Sequence, residues 1–210
     1  MSTIRQVQIK CAMCQKESEQ IMLGSTSAFG AMDLDTRPPA LARHMNGCYV
    51  QECPHCGYAN HSIDTPTAVS PEFFQSEPYL TIAKQDLPGT AISFCKMAML
   101  GAEEKDASKE FWGYMRAAWA CDDDDDAVHA AVCRQKALEV LERAPEGSII
   151  PHADSAAMMR ADLLRRTKQF EKVLEYKHFK TDNKFIQTLM KYEIKLAKKK
   201  DAACHRVDEA

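Results

Sequence analysis

The sequence predicts an α+β protein, a small β-rich head followed by an all-α helical array. Three observations carry this reading. Two Cys-x-x-Cys pairs, Cys11–Cys14 and Cys53–Cys56, each follow a short β-prone run. The composition changes near residue 65, before which lie five of the nine cysteines and four of the eight glycines. From Pro88 onward apolar residues recur at helical spacing, and no strand pattern interrupts them. The expected organisation is a head over 1–65, a connecting segment over 66–87 and a helical domain over 88–210.

A chain of 210 residues, 45% hydrophobic and 27% charged, is long and apolar enough for a real core. Low hydropathy with high net charge, the signature of disorder, is absent. The longest uncharged apolar stretches, Thr90–Phe94 and Met97–Ala102, fall far short of the ~20 residues of a membrane span. Met-Ser-Thr-Ile-Arg-Gln at the start has no apolar signal region, so the expected location is cytoplasmic. Cysteines in that compartment are thiols or metal ligands rather than disulfides.

Taken in order, Ile4–Lys10 reads as a strand that ends at the first pair, Cys11-Ala-Met-Cys14. Between the two pairs lie 38 residues, more than the ~15–20 of a compact ribbon, so this stretch must fold. A hairpin around Gly24–Gly30 and a turn at Arg37-Pro38-Pro39 are expected there. Cys48–Gln51 reads as a second strand, leading into Cys53-Pro-His-Cys56-Gly57. A tight turn between two thiolates puts both sulfurs on one side of the chain, at the edge length of a tetrahedron around Zn²⁺. Pro54 presets the turn, and Gly57 permits a left-handed backbone. Two such turns supply four ligands, Cys11, Cys14, Cys53 and Cys56, for one structural zinc per chain in the layout of a zinc ribbon. His44 or Cys48 is the alternative for one ligand, whereas His55, inside the turn, should point outward. A redox role would need a βαβ context that is not visible.

Pro66, Pro71, Pro78 and Pro88 punctuate the connecting segment, with one helix expected around Pro71–Ser76. Helices then follow over Ala91–Glu104; from a Ser108 cap through Trp119; over Ala127–Ala144; from Asp154 or Ser155 to Arg166; and over Phe170–His178. A last helix, Lys184–Lys200, is capped by Thr181 or Asp182. Short connections imply antiparallel neighbours. Cys95, Cys121 and Cys133 read as small buried hydrophobes without pairing, and Met97, Met99, Met158 and Met159 as core filler. The Asp122–Asp126 run lacks the alternating ligands and terminal Glu of a calcium loop; acidic residues starting a helix complement its dipole.

The residues also resemble a bacterial family. Cys11-x-x-Cys14, Asp33-Leu-Asp-Thr-Arg37-Pro38 and Tyr49-Val-Gln-Glu-Cys53-Pro-His-Cys56-Gly57-Tyr58 look like the group called domain of unknown function 2225. Tyr114-Met-Arg-Ala-Ala-Trp119-Ala-Cys121-Asp122 and Ala161-Asp-Leu-Leu-Arg-Arg166-x-x-Gln169-Phe170 are similar to its helical half. The resemblance implies a bacterial or archaeal cytoplasmic protein with a zinc-ribbon-like head and tetratricopeptide-like helices. It implies no activity. The chain's own copies of a ~34-residue repeat are irregular, so a degenerate repeat and a plain bundle both fit.

No phosphate loop, nucleophile elbow or His-Glu-x-x-His motif is present, and four thiolates leave no open metal position for catalysis. The expected function is therefore a non-enzymatic module whose zinc-stapled head and helical scaffold bind a protein or peptide. Charge offers an alternative: Gly101–Glu146 carries a net −6 and Arg160–Lys200 a net +8, so a basic 160–200 face is a candidate nucleic-acid surface. The head argues against it, because Arg5, Lys10, Lys16, Arg37 and Arg43 are matched by Glu17, Glu19, Asp33, Asp35 and Glu52. A third reading places an enzyme site between head and helices, using Arg37 and His44.

Overall fold

The structure, a computed structural model, describes residues 1–210 and is α+β. β1 (Thr3–Lys10) pairs antiparallel with β2 (Glu17–Ser25), setting Val7 opposite Gln20 and Ile9 opposite Ser18. That face turns inward, while Gln6, Gln8, Glu17 and Glu19 face out, so the alternation of the sequence sets the register. Past β2 the expectation changes. No hairpin forms around Gly24–Gly30: β2 runs through Gly24, and β3 (Ala28–Phe29) pairs with β4 (Ala40–Leu41); the turn between them lies at Leu34–Asp35, closed by Thr36 N on Asp33 O (2.9 Å), and not at Arg37-Pro38-Pro39. Cys48 is not in a strand either. Arg43 N donates to Pro39 O (3.0 Å) and Met45 N to Ala42 O (3.1 Å), winding Arg43–Tyr49 into a 3₁₀ helix. The strand before the second cysteine pair is only β5 (Gln51–Glu52), paired with β6 (Ala59–Asn60).

The connecting segment carries more structure than its prolines suggested. Pro71–Gln75 forms a 3₁₀ turn, and α1 (Glu77–Ile82) begins with Pro78 in its first turn, where no N–H is needed. Then come α2 (Gly89–Glu103), α3 (Ala107–Asp123), α4 (Ala127–Arg143), α5 (Ala153–Arg166), the short α6 (Phe170–Leu174) and α7 (Lys184–Lys198). No helix is long and apolar enough to cross a membrane.

One turn recurs along this array. After α2, α3, α5 and α7 a residue sits at left-handed φ: Lys105, Asp125, Lys168 and Lys200. The next N–H closes the helix, Asp106 to Gly101 O at 2.8 Å, Asp126 to Cys121 O at 2.9 Å and Gln169 to Leu164 O at 2.8 Å. This is the Schellman closure without its usual glycine, which is why composition does not announce it. It also moves the helix caps. Asp106, not Ser108, caps α3 by accepting from Lys109 N (2.9 Å), and Asn183, not Thr181 or Asp182, caps α7 by accepting from Phe185 N (3.1 Å). In the acidic run only Asp126 serves a helix start, accepting from His129 N at 3.1 Å. Asp122 and Asp123 end α3, against its dipole, and arginines hold them there.

α2 and α3 cross unusually close: a Cβ on Gly113 would lie 2.8 Å from Ala98 Cβ and 2.9 Å from its backbone N. Three apolar clusters result, and each draws on both sides of residue 65. The largest joins Val50 and Ala59 to Phe94, Phe111, Met115, Trp119, Leu138 and Leu163. A second surrounds the cysteines with Tyr58, Ile63, Phe74, Tyr79 and Leu100. The third sets Leu34 against Met158 of α5 and Ile186, Leu189, Met190 and Leu196.

Candidate metal centre

Both cysteine turns are built the same way. In the first, Gln15 N donates to Cys11 O (2.9 Å) and Cys11 N to Lys16 O (2.9 Å). In the second, Gly57 N donates to Cys53 O (2.8 Å) and Cys53 N to Tyr58 O (2.8 Å). Each places its fifth residue at left-handed φ, +60° at Gln15 and +73° at Gly57. Glycine adopts this freely; Gln15 adopts it at a cost of about 1 kcal/mol. The turn therefore bends both sulfurs to one side, as the spacing implied.

Hydrogen bonds hold the two turns face to face. Ala12 N donates to Ile63 O (2.8 Å), and Tyr79 of α1 donates its hydroxyl to Gly57 O (2.8 Å). Tyr58, Phe73, Phe74 and Tyr79 wall the site, with ring centroids 5.3–5.4 Å apart and mostly edge-on. The outcome is a compact set of four thiols. Cys11 Sγ lies 3.7 Å from Cys56 Sγ, Cys14 Sγ 3.6 Å from Cys53 Sγ, and all four lie within 4.8 Å of one another. Metal–sulfur bonds of about 2.3 Å give a regular tetrahedron edges of ~3.8 Å. The donor set fits a thiophilic tetrahedral ion.

Its electrostatics agree. Burial pushes the Cys11 and Cys56 thiols above their ordinary range. Burial opposes ionisation of Cys14 too, but the Lys16 N–H and the Cys53 thiol hold it slightly low. Four thiolates this close together, two of them fully buried, cannot coexist unaided, and a divalent cation would reverse that by direct bonding. Lys96, buried and paired with Glu52, places its ammonium beside Gly57 and 5.7 Å from the Tyr79 ring centroid, next to the second cysteine turn.

Neither alternative ligand joins the cluster. His44 is exposed on the 3₁₀ helix, and Cys48 is a half-buried thiol whose pKa burial raises. His55 points outward, its Nε2 3.2 Å from Glu17 O. Arg37 and His44 do not form a shared site: Arg37 is buried against Asp123, while His44 lines a separate cavity with Phe29 and Arg206. Cys95, Cys121 and Cys133 are buried as expected, yet they are not scattered. They lie near one another where α2, α3 and α4 pack together in the largest apolar cluster.

Sequence reasoning missed the buried ionic groups that tie the Asp33–Arg37 segment to α3, α4 and α5, and α5 to α7. Asp35 Oδ2 accepts from Trp119 Nε1 (2.9 Å) and Arg134 Nη2 (3.1 Å), and Asp122 binds Arg134 (2.5 Å) and Arg166 (3.1 Å). Arg165, fully buried, reaches Glu193 (2.6 Å), Asp162 (2.8 Å) and two backbone carbonyls. The candidate basic face thus loses Arg165 and Arg166 to the interior. The signal available was the Asp33–Pro38 segment, which carries two acids and an arginine in a turn.

Compared with protein families, curated proteins and solved structures, the chain matches none.

Proposed function

We propose that the chain is a zinc-binding, non-enzymatic interaction module of the cytoplasm. Cys11, Cys14, Cys53 and Cys56 hold one structural Zn²⁺, and the stapled head with its helices recognises a protein or peptide. The observation that carries the metal is the four-thiol cluster at tetrahedral spacing. Zinc suits it because a closed S₄ site satisfies a d¹⁰ ion and leaves no position for water. Likeness to domain of unknown function 2225, with a ribbon-like head and tetratricopeptide-like helices, belongs to the same proposal. The matched cysteine turns support the ribbon-like head of that reading. A groove of about 420 Å³ beside α5, lined by Leu141, Ile149, Ile150 and Tyr176, supports a peptide ligand over nucleic acid. So does the internal use of Arg165 and Arg166.

Metal analysis of protein prepared without chelator should find one zinc per chain, absent from a Cys53→Ser/Cys56→Ser variant. Cobalt in its place should give a tetrahedral thiolate spectrum. An octahedral spectrum, or iron as the bound metal, overturns the assignment. Cross-linking mass spectrometry of the native protein should return polypeptide partners; a nucleic acid copurifying at physiological salt would reverse the ranking.

A further inference from the structure

A cavity of about 520 Å³ opens between Thr36, Pro38 and His61 on one side and α3 from its start to Trp119 on the other. It is lined by both tryptophans of the chain, Trp112 and Trp119, whose ring centroids are 6.4 Å apart. Trp119 is fixed by its indole N–H on Asp35, so the aromatic wall is rigid. Between them in sequence stands Arg116. Its guanidinium lies over Tyr49, 4.1 Å from the ring centroid, and 5.6 Å from the centroid of Trp119.

Arg116 differs from the other buried arginines. Arg37, Arg134, Arg165 and Arg166 each pair with a carboxylate, whereas Arg116 has no ion pair and one side-chain hydrogen bond, to Asn46 Oδ1 at 3.0 Å. Burial works against its charge and lowers its pKa, so a fixed oxyanion on its remaining N–H groups would be favoured. The rest of the lining sets the ligand's charge. Lys109 is answered by Glu104 at 2.5 Å, and Asp106 at the rim caps α3. Arg116 is therefore the one guanidinium or ammonium of the lining without a carboxylate partner, which favours a single carboxylate, and the negative charge of Asp106 at the rim disfavours polyphosphates.

We propose that this cavity binds a small organic anion with one carboxylate on a planar body, the carboxylate on Arg116 and the ring against Trp112 and Trp119. None of the four cysteines lines it, so the proposal stands apart from the metal reading. The test uses the full chain labelled with ¹⁵N, whose two indole N–H signals both report on the cavity. Benzoate should shift both saturably. Benzamide, of the same shape without charge, should bind at least about tenfold more weakly, because hydrogen bonds between charged groups are the stronger kind. Arg116→Gln should abolish the difference between the two probes. Equal binding of benzamide and benzoate by the wild-type protein overturns the proposal, whatever the variant does. So does benzoate leaving both indole signals unmoved.

Discussion

Raising the pH from 5 to 9 should destabilise the protein through one buried cluster. Arg165 is enclosed by two carboxylates, Glu193 and Asp162, and all three are inaccessible to water. One guanidinium cannot balance two carboxylates in a dry site, so one acid keeps its proton. Burial, then repulsion from Asp162, raises Glu193 to about 8 despite Arg165. Asp162 Oδ2 has no other hydrogen-bond partner and is the natural acceptor for that proton. The unfolded glutamate releases its proton near 4.5, so across 4.5 to about 8 the native state binds the extra proton. Stability from this group is complete below 4.5 and falls as pH rises through 8. At 1.36 kcal/mol per pH unit the window sets an upper limit of about 5 kcal/mol. Urea midpoints at constant free zinc should fall steadily over pH 5–8 in the wild type. Glu193→Gln, uncharged at every pH, should flatten that slope while costing some stability throughout. A wild-type midpoint that rises or stays level over this range would refute the reasoning, as would an equal slope in the variant.

Three further outcomes are expected. Chelation of the metal, or Cys53→Ser with Cys56→Ser, should release amide protection over the head and also over residues 71–82, because Phe74 and Tyr79 pack on the cysteines; hydrogen exchange confined to residues before 65 would contradict the shared cluster. Gly113→Ala should gain about 1 kcal/mol of helix propensity and lose about 1–3 kcal/mol to the clash with Ala98, a net loss of up to about 2 kcal/mol; calorimetry showing a raised Tm would refute the close crossing. Arg134→Met should cost about 3–5 kcal/mol by leaving Asp35 as a buried acid without its ion-pair partner and Asp122 with Arg166 alone, and acidifying the buffer should recover part of it; a neutral effect in urea denaturation would show these ion pairs are dispensable.

The cysteine spacing alone located all four thiols, because a Cys-x-x-Cys turn is a local device whose geometry depends on few neighbours. Helical periodicity likewise placed the long helices to within a few residues, since amphipathic faces repeat in sequence as they do in space. Both are short-range information. What escaped were features decided by partners distant in the chain. Cys48 entered a 3₁₀ helix against its β-prone neighbours, and β3 found β4 rather than a hairpin partner. Left-handed Lys105, Asp125 and Lys168 close helices without glycine, because the packed hairpins outweigh the local penalty.

The charged residues mark the boundary most sharply. By composition Arg134, Arg165, Arg166, Asp122 and Glu193 belong to solvated faces, where such residues usually lie. The fold buries Arg134, Arg165 and Glu193 and half-buries Arg166 and Asp122 instead, in pairs separated by 12 to 99 positions in sequence for Arg134 alone. A buried arginine is tolerable only when its carboxylates arrive with it, and that coincidence is a property of three-dimensional packing. So the sequence by itself determined the four-cysteine cluster and the helical scaffold. Only the tertiary structure decided which charges are interior, how α1 joins the cysteine cluster, and that Arg116 faces a cavity without an ion-pair partner.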